Sequence, residues 1–284
     1  MLILLLYYFN QVFHVRITPT GSISIDKCIF SDIVSTGHGG AISASSLSLY
    51  LARSSFSKIS STGWGGMIYL ATGDNTYIQC CSFSDFNNDY GHAGKCICAL
   101  MRNDFSLNGS VVSNPVSKFG YEIICNLGLH YLLNYNNLSS NVNQNRAGVI
   151  MAHDNLSPSV FKIEYSIFTN NTCPNMIYVA DSSSTVKVIN RISIVRCQDS
   201  TAFYFKYPTQ ILNSNIIHPE NKLGVKYVID SSCITHTEIA NFVPLSKLSD
   251  DNCLIMQINS IGHRRSRLYI IETFILPFFS FESH

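Results

Sequence analysis

The sequence predicts an all-β fold, a single-stranded parallel β-helix of about eight to ten coils with roughly 27 residues in each. Three observations predict it. An apolar pair recurs at a nearly fixed interval: Ile25 with Phe30, Leu51 with Phe56, Ile78 with Phe83, Leu107 with Val112, Leu133 with Leu138, Ile163 with Phe168, Ile189 with Ile194 and Leu212 with Ile217. A glycine-rich element follows the early pairs and keeps the same period. Between these markers apolar and polar residues alternate with the period of a half-buried strand.

The second members of the pairs are separated by 26, 27, 29, 26, 30, 26 and 23 residues. Blurred ninth and tenth copies fall near Ile239 with Pro244 and Ile271 with Leu276. The glycine element reads Gly37-His38-Gly39-Gly40-Ala41-Ile42, then Gly63-Trp64-Gly65-Gly66-Met67-Ile68, then Gly91-His92-Ala93-Gly94-Lys95-Cys96. From Gly40 the steps to Gly66, Gly94, Gly120, Gly148 and Asn175 are 26, 28, 26, 28 and 27. Two markers that keep one period imply stacked units, each pairing only with its neighbours. Within the second unit the strand-like runs are Leu49 to Leu51, Ser54 to Phe56 and Met67 to Leu70. Ile, Val, Phe and Tyr suit strands, and Ser, Thr, Asn and Gly punctuate them. Coils stacked about 4.8 Å apart should align equal positions into ladders. Phe30, Phe56 and Phe83 form one; Cys28, Ser54 and Cys81 form a second on the same inner face; Ile42 and Ile68 form a third. The glycines suit a corner that needs positive φ or close backbone approach.

Gly39-Gly40-Ala41-Ile42 and Gly65-Gly66-Met67-Ile68, together with Phe168-Thr169-Asn170-Asn171 and Leu138-Ser139-Ser140-Asn141, resemble the GGAI and FxxN signatures of polymorphic outer membrane protein repeats. The resemblance implies a right-handed parallel β-helix displayed at a cell surface or secreted. It implies a role in adhesion, interaction or antigenic display, with host-surface glycans or proteins as partners. The glycine signature fades after residue 98, and no C-terminal autotransporter barrel is visible in the strand pattern.

Composition agrees with a large core and a neutral surface: 46% of residues are hydrophobic, 13% are charged, and the net charge is +1. No basic stripe points to nucleic acid. Residues 1–20 are read as a signal-like or capping segment and 21–284 as the β-helix. The apolar run Met1 to Phe9 lacks a basic leader and a small-residue cleavage site. Leu268 to Phe281 is apolar but broken by Glu272 and Pro277, so a last coil is favoured over a membrane-associated anchor. A monomer is expected. Ten cysteines, at 28, 80, 81, 96, 98, 125, 173, 197, 233 and 253, are read mostly as small buried hydrophobes, with Cys80 outside and Cys81 inside. Glycosylation sequons begin at Asn108, Asn137 and Asn170.

β-helices also serve as polysaccharide hydrolases and lyases, and the alternative reading is a carbohydrate-active enzyme. Such enzymes place two carboxylates about 5 to 10 Å apart across the substrate. Gly37-His38-Gly39 matches a triplet found near such sites, but His38 aligns with Trp64 and His92, which favours a corner residue. Asp32 and Asp85 share a repeat position with Lys58 between them, which favours a charge-compensated ladder. The sequence therefore nominates no catalytic, cofactor-binding or metal-ligating residue.

Overall fold

The structure is a computed structural model; it describes residues 5–45, 48–88, 94–113, 124–126, 130–142, 149–152, 160–179, 186–195, 197, 201–205, 209–217, 224–225, 228–229 and 234–235. It is all-β, with no helix among the described residues. Every paired strand runs parallel to its partner, and the chain winds as a β-solenoid.

Each circuit contributes three strands. In the third circuit they are Ser48–Ala52, Ser55–Ser61 and the start of Ile68–Gln79. The middle one belongs to a ten-stranded sheet in strict chain order, from Val12–Phe13 to Ile234–Thr235. The other two faces form one sixteen-stranded sheet, because Ile68–Gln79 and Ile97–Asn108 run unbroken around the edge between them. Leu5–Phe9 pairs with Ser22–Asp26 and Val12–Phe13 with Ile29–Phe30, one circuit ahead of residue 21.

The expected ladders are present. Phe30, Phe56 and Phe83 stack with centroids 4.6 and 5.0 Å apart, and Phe13 extends the row at 4.6 Å. Val112, Leu138, Phe168, Ile194 and Ile216 continue it in register. Ile42, Ile68, Ile97, Ile124, Ile150 and Ile177 form the row behind the glycine corner. Flat rings and branched chains at equal positions suit stacking at strand spacing.

Three details of register differ from the expectation. The eighth pair is Ile211 with Ile216, both buried, rather than Leu212 with Ile217. That circuit is shorter, and a slip of one residue exchanges the inner and outer faces. Ile229 and Thr235, not Ile239 and Pro244, continue these two rows. Ile239, Pro244, Ile271 and Leu276 lie outside the described residues. In the third copy of the glycine element, Gly94 matches Gly39 and Gly65, with φ of 67°, 69° and 66°. Ile97 follows Phe83 by 14 residues, whereas Ile42 and Ile68 follow their phenylalanines by 12, which displaced the alignment. Lys95 therefore takes the place of Gly40 and Gly66.

One corner is built with almost no glycine. Asn10, Lys27, Arg53, Cys80, Gly109, Tyr135, Tyr165, Arg191 and Asn213 each follow the end of a strand, with φ between 47° and 58°. Left-handed conformations cost non-glycine residues about 1–2 kcal/mol, and hydrogen bonding repays it. Each of the first eight donates its N–H to the next circuit; Arg53, for example, donates to Gln79 O at 3.0 Å. The residue that follows turns inward. Cys28 N–H donates to Ser54 Oγ at 3.0 Å, Cys81 N–H to Ser110 Oγ at 3.2 Å and Ser110 N–H to Asn136 Oδ1 at 3.0 Å. Ser54 Oγ donates to Ala52 O at 2.7 Å. This inner row of Ser, Asn and Cys satisfies backbone groups that the turn would otherwise orphan in the core. The thiols of Cys28 and Cys81 also donate, each to a carbonyl two residues earlier at 3.3 Å. Burial pushes the Cys81 thiol up to about 12. Cys80, expected outside, is buried at the turn and disulfide-bonded.

A second bend carries Asp32, Lys58, Asp85, Ser140 and Asn170 at positive φ. The next residue points inward: Ile33, Ile59 and Phe86 early in the chain, Asn141 and Asn171 later. Asn141 N–H donates to Asn171 Oδ1 at 2.9 Å, and Asn171 Nδ2 donates to Leu138 O at 2.8 Å. Asn141 and Asn171 are the last residues of the two FxxN-like segments.

Candidate ligand-facing corner

The glycine corner can be built from its two glycines, which have different tasks. A Cβ on Gly39 or Gly65 would meet the carbonyl oxygen three residues on at 2.1 Å, and both have positive φ. Gly40 is needed for close approach: its Cβ would lie 2.3 Å from Gly66 O on the next circuit. Gly40 N–H donates to Gly66 O at 3.0 Å, and Gly66 N–H to Gly94 O at 3.0 Å. The residue before each pair is pushed outward by this tight seam.

That residue is His38 in one circuit and Trp64 in the next. Trp64 N–H donates to His38 Nδ1 at 2.8 Å, so the imidazole proton sits on Nε2. The His38 ring lies 4.6 Å from the Tyr69 ring and 5.9 Å from Trp64. Gly37 N–H donates to Thr62 Oγ1 at 2.8 Å. Arg16 Nη1 donates to Thr36 O at 2.8 Å and His38 O at 3.2 Å, tying the turn to the circuit before it. His38 is exposed, and Trp64 and Tyr69 are half-buried. Burial raises the Tyr69 hydroxyl pKa, with Cys98 adding to the effect. The result is a surface of three ring systems backed by fixed hydrogen bonds, with an arginine beside it. Such a surface can stack on an apolar or sugar-ring face while polar tips contact its rim. His92, expected as the third aligned residue, falls one position early once Gly94 is matched with Gly39 and Gly65, and it lies outside the described residues.

A second aromatic row sits on the corner with left-handed backbone. Tyr135 and Tyr165 stack at 4.7 Å, and the Arg191 guanidinium lies 5.1 Å from the Tyr165 ring while also bonding its hydroxyl. The sequence reading did not single out this row. The signal was available, since all three residues occupy one repeat position. Tyr50 and Tyr77 form an exposed row on another face.

Carboxylates face bases. Asp26 is buried against the Arg53 guanidinium; Lys58 Nζ lies 3.5 Å from Asp32; Lys162 Nζ lies 2.8 Å from Glu164. Lys58 is in register between Asp32 and Asp85. Asp104 Oδ1 meets His130 Nδ1 at 2.6 Å on adjacent circuits. Among the described residues no group of three metal-ligating side chains converges, and no helix is long and apolar enough to cross a membrane. Of the sequon asparagines, Asn170 is exposed on a bend, whereas Asn108 and Asn137 are partly buried and Ser110 is enclosed in the inner corner row. No known protein family, characterised protein or solved structure matches the chain.

Proposed function

We propose that this chain is a non-enzymatic, cell-surface or extracellular β-solenoid for adhesion, interaction or antigenic display, with glycans or proteins of a facing surface as its partners. Right-handed winding and repeats of the polymorphic outer membrane protein type form part of this proposal. The Gly-Gly corners and the FxxN asparagines, each with a defined structural task, support it. The observation that carries the functional reading is the cluster of His38, Trp64 and Tyr69, displayed outward and pinned by hydrogen bonds from two neighbouring circuits. Aromatic side chains of this kind supply large contact area at low entropic cost and are enriched where proteins bind. On this reading Asn170 is the leading glycosylation site, because it is the exposed member of the three sequon asparagines.

A glycan and protein binding screen tests the proposal. Trp64→Ala is expected to lower affinity at least tenfold for whatever ligand the wild type retains, with thermal stability nearly unchanged. A ligand bound equally well by the variant would remove the corner from the site. The second reading, a carbohydrate-active enzyme, is favoured by one observation, the 2.6 Å contact between Asp104 and His130. Polysaccharide cleavage abolished by Asp104→Asn, with folding intact, would replace the first reading with the second.

A further inference from the structure

The polar tips of the glycine corner are donors without acceptors. Trp64 N–H occupies His38 Nδ1, which leaves Nε2–H as an exposed donor. Among the described residues, neither that group nor the Trp64 indole N–H nor the Tyr69 hydroxyl meets an acceptor. Arg16 is alike on one edge. Its Nη1 is held by Thr36 O and His38 O, while Nε and Nη2 have no partner among the described residues. Arg53 shows what that edge can hold: its Nε donates to Asp26 Oδ1 at 2.8 Å and its Nη2 to Asp26 Oδ2. Between residues 5 and 70 the only acidic side chains are Asp26 and Asp32, and they face Arg53 and Lys58. Arg16 is therefore a half-buried, fixed cation with no carboxylate partner among the described residues, set against the backbone of His38. The rings of His38, Trp64 and Tyr69 lie beside it.

We infer that Arg16, His38, Trp64 and Tyr69 form a binding site for a carboxylated sugar, such as a uronic acid unit of a glycan. The inference rests on the adhesive reading of this corner and names its ligand class. The sugar ring lies against the rings of His38 and Trp64. Its carboxylate accepts from Nε and Nη2 of Arg16, the planar two-on-two arrangement that a guanidinium offers and an ammonium does not. Hydroxyl oxygens of the sugar supply the acceptors that His38, Trp64 and Tyr69 lack. A neutral sugar would leave the arginine edge unanswered. A carboxylate without a ring would leave the aromatic surface bare. No acidic side chain of these circuits is left unpaired to repel the anion.

The test titrates the full chain by calorimetry with oligogalacturonate, hyaluronan fragments and sialyllactose, each against its own methyl ester. The ester keeps the ring and removes the charge. The expected result is binding of at least one acid, with its ester weaker on the order of tenfold or more, and a loss of affinity as salt is raised. Arg16→Gln should bring the acid down to the level of its ester, whereas Trp64→Ala should weaken both forms. Arg16→Lys keeps the charge and loses the fork, so it should fall between the wild type and Arg16→Gln. Because Arg16 also holds the turn, thermal melts accompany each variant, and the comparison of acid with ester on the wild type stands without them. Acids and esters bound alike overturn the inference and leave the corner as an adhesive site for uncharged ligands. Binding of none of the acids overturns it too. Another ligand weakened by Trp64→Ala would then keep the adhesive reading, and the lack of one would remove both.

Discussion

The early circuits and the later ones solve the same corners with different chemistry. Up to Phe86, the bend behind the ten-stranded sheet is filled by Ile33, Ile59 and Phe86, the inner row by stacked phenylalanines, and the third corner by paired glycines. From Leu138 onward the same bend is filled by Asn141 and Asn171 bonded to each other and to backbone carbonyls, and aliphatic residues share the inner row. Apolar fillers leave the turn's polar groups to the neighbouring backbone. Asparagines supply partners themselves. One backbone path therefore accepts two side-chain codes, provided each buried N–H and C=O is answered.

The comparison can be broken most severely at Gly66. Its added Cβ would meet Lys95 O at 1.9 Å, a backbone atom fixed in the next circuit. Gly66→Ala should cost more than about 4 kcal/mol and is read by chemical denaturation; a mild loss would mean the seam can open. Phe56→Ala comes next. The ring is fully buried between Phe30 and Phe83, and its removal should cost about 3–5 kcal/mol through the cavity left behind. In the later circuits Asn171→Ala should cost about 1–3 kcal/mol, because Asn141 N–H and Leu138 O lose their partner. Were Asn171→Leu more stable than the wild type, the asparagine code would be dispensable.

The smallest effect comes from Lys95, between the two regions. It is fully buried, its Nζ donates to Val142 O at 3.2 Å, and burial lowers its pKa to about 8, with Cys173 opposing the shift. The unfolded chain holds that proton up to about pH 10.4, so this residue makes stability rise with pH from about 8 to 10.4. Cys81, Cys96 and Cys173 act the other way: burial raises their pKa values, so the unfolded chain loses protons first and stability falls above about pH 8.5. Thermal melts of Lys95→Met should therefore show a steeper alkaline decline than the wild type. Parallel curves would place the Lys95 amine in contact with water.

Most of the fold was legible in the sequence because a solenoid repeats its constraints. The same inward position asks for the same shape in every circuit, which made Phe30, Phe56 and Phe83 visible. What escaped has physical reasons too. The left-handed corner accepts Asn, Lys, Arg, Cys, Gly and Tyr, so no residue type marks it. Two extra residues before Ile97 shifted the glycine match by one and hid Lys95. A short circuit shifted Ile216. The Ser, Asn and Cys row was seen as core filler, and its hydrogen-bonding task appeared only when each side chain was placed beneath the N–H it answers. At the candidate site, His38 beside Trp64 was foreseen from the repeat; Tyr69 comes from the strand after the corner and Arg16 from the circuit before it, and neither carried a shared mark.

The pairing of each strand with the one roughly 26 residues later has a mechanical consequence. Among the described residues strand pairing joins each circuit only to its immediate neighbours, and the Lys95 Nζ bond to Val142 O reaches one circuit further. Pulled from its ends, the chain should peel circuit by circuit rather than rupture as one block. Each event would free about 26 residues, or on the order of 90 Å of extended chain, and the force trace should show teeth at that interval. A molecule of this build would act as an extensible tether, yielding in measured lengths while the rest of its coil stays wound.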